Sequence, residues 1–207
     1  MPRQNPQKPT RRYSQRKSTP KVVDGRAQRK NRSAPTRTAP LIRREQPGKG
    51  YRHFVRKRDV LMFVDLLPDW DELSVGLNEI ILDSGNQDCS GWQNSGQVAI
   101  CAWERELISY HDVEFVEQHA ELYQRLGIPF AKDEDDIGPF YHVQFNESTV
   151  RAYQLLHVFL HELGHHHDRI TNWSQDASRG EPYAEAYAFK YEAIVFDRYV
   201  EAFGFCP

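Results

Sequence analysis

The stretch Ser148 to Arg169, STVRAYQLLHVFLHELGHHHDR, decides how this chain is read. Val150, Tyr153, Leu156, Leu160 and Leu163 recur at helical spacing and predict one apolar stripe on a long helix, with Ser148 in the N-cap position. Within it stands His161-Glu162-Leu163-Gly164-His165. An α-helix turns once in about 3.6 residues, so histidines four apart face the same way. His161 and His165 can therefore offer imidazole nitrogens to one metal ion. Glu162 stands beside them, near enough to hold a metal-bound water without being a ligand, which is the H-E-x-x-H arrangement of two zinc ligands and a general base. A polar, histidine-rich face in an otherwise apolar helix also needs partners, because buried polar groups cost free energy unless paired.

Zinc takes a third protein ligand and, in a catalytic site, keeps one position open. The segment Gly180-Glu181-Pro182 opens a second helix that runs to about Phe203, with proline favoured in a first helical turn. On it Glu181 and Glu185 are four apart, and small Ala184 and Ala188 allow a close approach to the first helix. Glu181 is read as the third ligand and Glu185 as the outer carboxylate that orients a ligand histidine. The reverse assignment stays open.

The pair H-E-L-G-H and E-x-x-A-E-x-Y-A resembles the gluzincin metallopeptidases. Within them it is similar to the small soluble ImmA/IrrE-like pattern and to the prenyl-protease-like pattern, over residues 141–200. The resemblance implies a zincin-like α+β fold, a bound Zn2+, peptide-bond hydrolysis on a protein or peptide substrate, and the ligand role for Glu181. Glu185 stands where that pattern usually has Asp or Asn, which keeps the choice between the two glutamates open.

Outward from this core, Val60–Val64, Ile80–Leu82, Val98–Trp103 and Tyr141–Phe145 read as strands, and Asp71–Leu77 as a helical turn or short helix. Asp112 is placed to cap a helix whose face is Phe115, Val116, Leu122 and Leu126, with Gly127 as its stop. Residues 83–97 and 133–136 read as loops. Strands followed by two long helices predict an α+β domain over residues 51–207, a small twisted sheet packed on the two site helices. An edge such as that of Val98–Trp103 is a place for an extended peptide. Tyr183, Tyr187, His157 and His142 are candidates to stabilise an oxyanion. His157 and Asp168 share the ligand face and more simply read as satisfied polar residues. His166 and His167 read as exposed.

Residues 1–50 are rich in Arg, Lys, Gln, Pro, Ser and Thr and read as a disordered tail. Residues 1–58 hold 19 Lys/Arg and 2 Asp/Glu, a net +17, so the remainder carries -19 although the whole chain is at only -2. Such an arm is suited to non-specific nucleic-acid binding through its phosphate charge. This gives the alternative reading, a nucleic-acid-associated protein with a structural or vestigial metal site. A bland solubilising tail, or a partner for the acidic body, is the simpler use. Structural zinc sites are more often closed by cysteines and have no use for Glu162. No apolar run approaches the roughly 20 residues that cross a bilayer. Cys89, Cys101 and Cys206 form no C-x-x-C pair, which fits a reducing cytoplasm.

Overall fold

A computed structural model describes residues 39–85, 89–172 and 179–207, together with the backbone pairing of Val22–Val23 (β1) and Arg26–Ala27 (β2). The chain divides into two units, Met1–Arg37 and Thr38–Pro207. The readings of residues 1–38 as a disordered, nucleic-acid-binding arm lie outside the described residues, apart from that ladder. Leu41–Arg44 (β3), inside the segment read as tail, is a paired strand.

The second unit is α+β. Its main sheet has the order β3, Glu79–Asp83 (β5), Gln97–Cys101 (β7) and Gly91–Asn94 (β6). The first three strands run parallel and β6 returns antiparallel to β7 through Ser95-Gly96, where Gly96 supplies φ 72°. A second ladder pairs Tyr51–Arg52 (β4) with Trp103–Glu104 (β8), so the expected strand Val98–Trp103 is two strands with a break at Ala102. A third, antiparallel sheet has the order Phe130–Asp135 (β10), Gly138–Gln144 (β11) and Ile108–Asp112 (β9).

Three expectations are corrected here. Val60–Val64 belongs to a helix, Lys57–Val64 (α1), followed by the short Trp70–Leu73 (α2). Asp59 accepts a hydrogen bond from the Arg56 backbone N–H at 2.8 Å and starts α1. Val60, Phe63 and Val64 then fall on one buried face while Leu61 and Met62 are exposed. The polar stretch 83–97 contains β6. The acidic stretch 133–136 is largely strand β10, whose side chains beyond Phe130 are exposed.

Val113–Arg125 (α3) starts as expected, Asp112 Oδ1 accepting from Phe115 N at 2.7 Å, and stops at Gly127, φ 62°. The long helix begins two residues earlier than expected. Asn146 caps it, its side chain accepting from Ser148 N and Thr149 N while Thr149 Oγ1 accepts from Asn146 N. Nor is it uniformly α. Glu147–Tyr153 (α4) passes into a π-helical segment, Gln154–Phe159, and then into Leu160–Thr171 (α5). The π segment is wholly buried, and Gln154 Nε2 donates to Cys101 O at 2.7 Å. Gly180–Phe203 (α6) is as expected and ends in Gly204 at φ 58°.

α5 lies on β6 and β7 on one side and on α6 on the other. Gly164 sets the second contact. A Cβ there would meet Ala184 Cα at 2.9 Å and Ala184 O at 3.0 Å, so the glycine of the H-E-x-x-H segment is what lets α6 come this close. Phe63 meets Phe159 and Tyr199 edge to face at 5.9 and 6.2 Å, tying α1, the π segment and α6 into one core. No helix among the described residues is long and apolar enough to cross a membrane.

Candidate metal centre

The two helices bring His161, His165 and Glu181 together. His161 Nε2 lies 3.0 Å from Glu181 Oε2 and 3.2 Å from His165 Nε2, and His165 Nε2 lies 3.3 Å from Glu181 Oε1. His161 Nδ1 donates to Glu185 Oε2 at 2.9 Å, which leaves a lone pair on Nε2. Two imidazole nitrogens and the two oxygens of one carboxylate thus face one another at the corners of a small triangle of residues. Four ligands held about 2.1 Å from a tetrahedral zinc stand roughly 3.4 Å apart, so the trio matches such an ion in both spacing and donor type.

Glu181 is exposed at the mouth, whereas Glu185 is partly buried behind His161. Burial works to raise the Glu185 pKa, but the imidazoles of His119, His161 and His157 around it hold it well below the usual carboxylate range. For His161 burial disfavours the charge, yet the Glu185 hydrogen bond and the carboxylates of Glu162, Glu185 and Glu181 outweigh it and raise its pKa. Glu162 follows His161 on the buried side and lines a cleft of about 560 Å³. Burial pushes its carboxyl up to about 7, with His161 opposing and Glu181 adding to the shift. Gly91 of β6 makes the room, since a Cβ there would lie 2.9 Å from Glu162 Cγ and 2.8 Å from Val158 Cγ1.

Asp168 is not a ligand in this arrangement. It is buried and accepts from Arg179 N at 2.6 Å, Arg179 Nε at 2.7 Å and Gly180 N at 3.3 Å, so it pins the first turn of α6 to α5 and aims Glu181. Replacing Asp168 by Ala strands these donors. That is expected to cost about 1–3 kcal/mol of stability, seen as a lower urea midpoint, together with weaker zinc retention. Asp168→Asn, which keeps an acceptor, should lose less on both counts.

His166 and His167 are not exposed as expected. The helix turns His166 into the core, where Nε2 meets Val75 O at 2.9 Å, and His167 stacks beside Tyr183 with Nδ1 2.7 Å from its hydroxyl. Among the oxyanion candidates only His157 lines the cleft; Tyr183, Tyr187 and His142 do not. The peptide edge also moves. β7 is flanked by β5 and β6; β3 and β6 are the edge strands of this sheet, and β6 is the one beside α5.

One residue was not singled out by sequence. His119 of α3 is buried on the same cleft, with Nε2 3.0 Å from Glu185 Oε1 and 3.2 Å from His157 Nε2. Its signal was present, because His119 falls three after Val116 and four after Phe115, on the helix face read as apolar.

Compared with known protein families, with curated proteins and with solved structures, the chain matches none.

Proposed function

We propose that the chain is a zinc-dependent peptidase with a zincin-like arrangement of α5, α6 and β6, the ion being held by His161, His165 and Glu181. One observation carries the reading: the Nε2 atoms of His161 and His165 stand 3.2 Å apart, and the two oxygens of the Glu181 carboxylate lie 3.0 and 3.3 Å from them, one on each ring, a grouping that can close around a cation. Two imidazoles and one carboxylate form a set that suits zinc and leaves a position for water. When bound, zinc acts as a Lewis acid that brings the pKa of a coordinated water to about 7 and polarises a carbonyl oxygen.

The chain's own groups do the rest. Glu162 accepts the proton of the attacking water and returns it to the leaving amine, work suited to a carboxyl titrating near neutral pH. Glu185 fixes the His161 ring through Nδ1, so that Nε2 is presented to the site. An extended peptide lies along the open edge of β6, next to α5, where backbone pairing holds it without demanding a particular side chain.

The test is metal content and turnover on the full chain. Wild-type protein should retain zinc through desalting, and His161→Ala should lose the ion held by this trio. Hydrolysis of unfolded casein should stop on chelation and return with Zn2+. Protein that takes up no zinc, or His161→Ala that retains it as tightly, would remove the proposal.

A further inference from the structure

Behind the trio lies a second triangle, one residue from each of three elements. α3 supplies His119, the π segment His157 and α6 Glu185. His119 Nε2 stands 3.2 Å from His157 Nε2 and 3.0 Å from Glu185 Oε1, and His157 Nε2 is 3.8 Å from Glu185 Oε2. The rings meet nearly at right angles, 88°. Aromatic neighbours hold them in place, Phe115 stacked on His119 at 4.2 Å and Tyr153 on His157 at 5.2 Å.

With both imidazoles neutral, hydrogen bonds leave part of this cluster open. His119 Nδ1 lies 2.7 Å from Phe115 O and donates to it, so the neutral ring turns a lone pair at Nε2 toward its two neighbours. A proton on His157 Nε2 can serve the contact between the two imidazoles. It leaves Glu185 Oε1 unserved, and that oxygen is buried without a hydrogen-bond partner. Buried polar atoms in native proteins are nearly always paired, and an ion shared by His119 Nε2, His157 Nε2 and Glu185 would give Oε1 its partner.

We propose that His119, His157 and Glu185 form a second divalent-cation site, for an ion of the borderline class that includes zinc and cobalt. Two imidazoles and a carboxylate select that class over magnesium or calcium, which prefer all-oxygen shells. The backbone carbonyl on His119 Nδ1 is the outer partner a ligand histidine ordinarily has. Glu185 links the two sites, Oε2 on His161 and Oε1 facing His119. All three side chains line the same cleft as Glu162, which gives an ion a way in.

The experiment counts metal on the full chain, stripped by chelator, reloaded with Zn2+ and desalted. Wild type should hold two ions per chain, His119→Phe one, Glu181→Ala one and the double variant none. A single ion in wild type that His119→Phe leaves in place overturns the proposal. So do two ions that both survive in His119→Phe. Because a substitution at a buried histidine can unfold the chain, zinc-edge anomalous diffraction from wild-type crystals grown at two equivalents of Zn2+ provides a second measurement. A peak within coordination reach of His119 Nε2 and His157 Nε2 supports the site, and its absence at full loading of the first site overturns it. A wild type that binds a single ion, lost in His119→Phe and kept in Glu181→Ala, would defeat the peptidase reading and leave this inference standing.

Discussion

Glu162→Gln is expected to lower casein hydrolysis by roughly 10²–10⁴-fold, the range that a positioned general base contributes, while zinc content stays at the wild-type value. The two readouts separate because Glu162 is not among the three residues of the triangle. The amide keeps the shape of the side chain where space is tight, with Gly91 and Val158 packed around it. It also avoids burying a charge. Since burial has already pushed the carboxyl up to about 7, the amide should leave the melting temperature unchanged or raise it. A variant that loses activity together with zinc or fold would show that Glu162 supports structure. A variant as active as wild type would take away its role as base.

The site was legible where chemistry fixes spacing. His161, Glu162 and His165 need one helical turn, and Glu181 with Glu185 need another, so residue type and interval locate both helices and their facing sides. The rest is hidden for physical reasons. Val60–Val64 is apolar throughout, and a run of five such residues buries equally well at either period; the deciding signal was Asp59 as a cap. β6 is an edge strand whose residues are only partly buried, so Gly91-Trp92-Gln93-Asn94 shows no apolar alternation. β10 holds its place by backbone pairing to β11 while Asp133, Glu134 and Asp135 stay in water, and composition alone therefore resembles a loop. His119 was passed over because a histidine on an apolar face reads as packing until a partner from another element is in view. Its partners are 38 and 66 residues away, at His157 and Glu185.

The uncertainty between the two glutamates resolves into opposite expectations for two variants. Glu181→Ala removes one vertex of the triangle from an exposed position, so zinc retention at the first site should collapse while thermal stability of the chelated protein barely changes. Glu185→Gln leaves the triangle intact and takes the charge from the group behind His161. Outer-shell partners of metal ligands are typically worth about 10–100-fold in affinity, so first-site retention should fall within that range and less than for Glu181→Ala. Stability should respond the other way. The folded chain holds the Glu185 pKa below its ordinary value of 4.5, so the ionised carboxylate stabilises the fold at neutral pH. That contribution is lost as pH falls from about 4.5 toward the folded value, where wild type is protonated as well. Glu185→Gln should therefore unfold at lower urea than wild type at pH 7, and the gap should narrow on acidification below pH 4.5. If instead Glu185→Gln abolishes zinc binding at the trio and Glu181→Ala costs little, the ligand is Glu185 and the exposed carboxylate of Glu181 is a bystander at the mouth of the cleft.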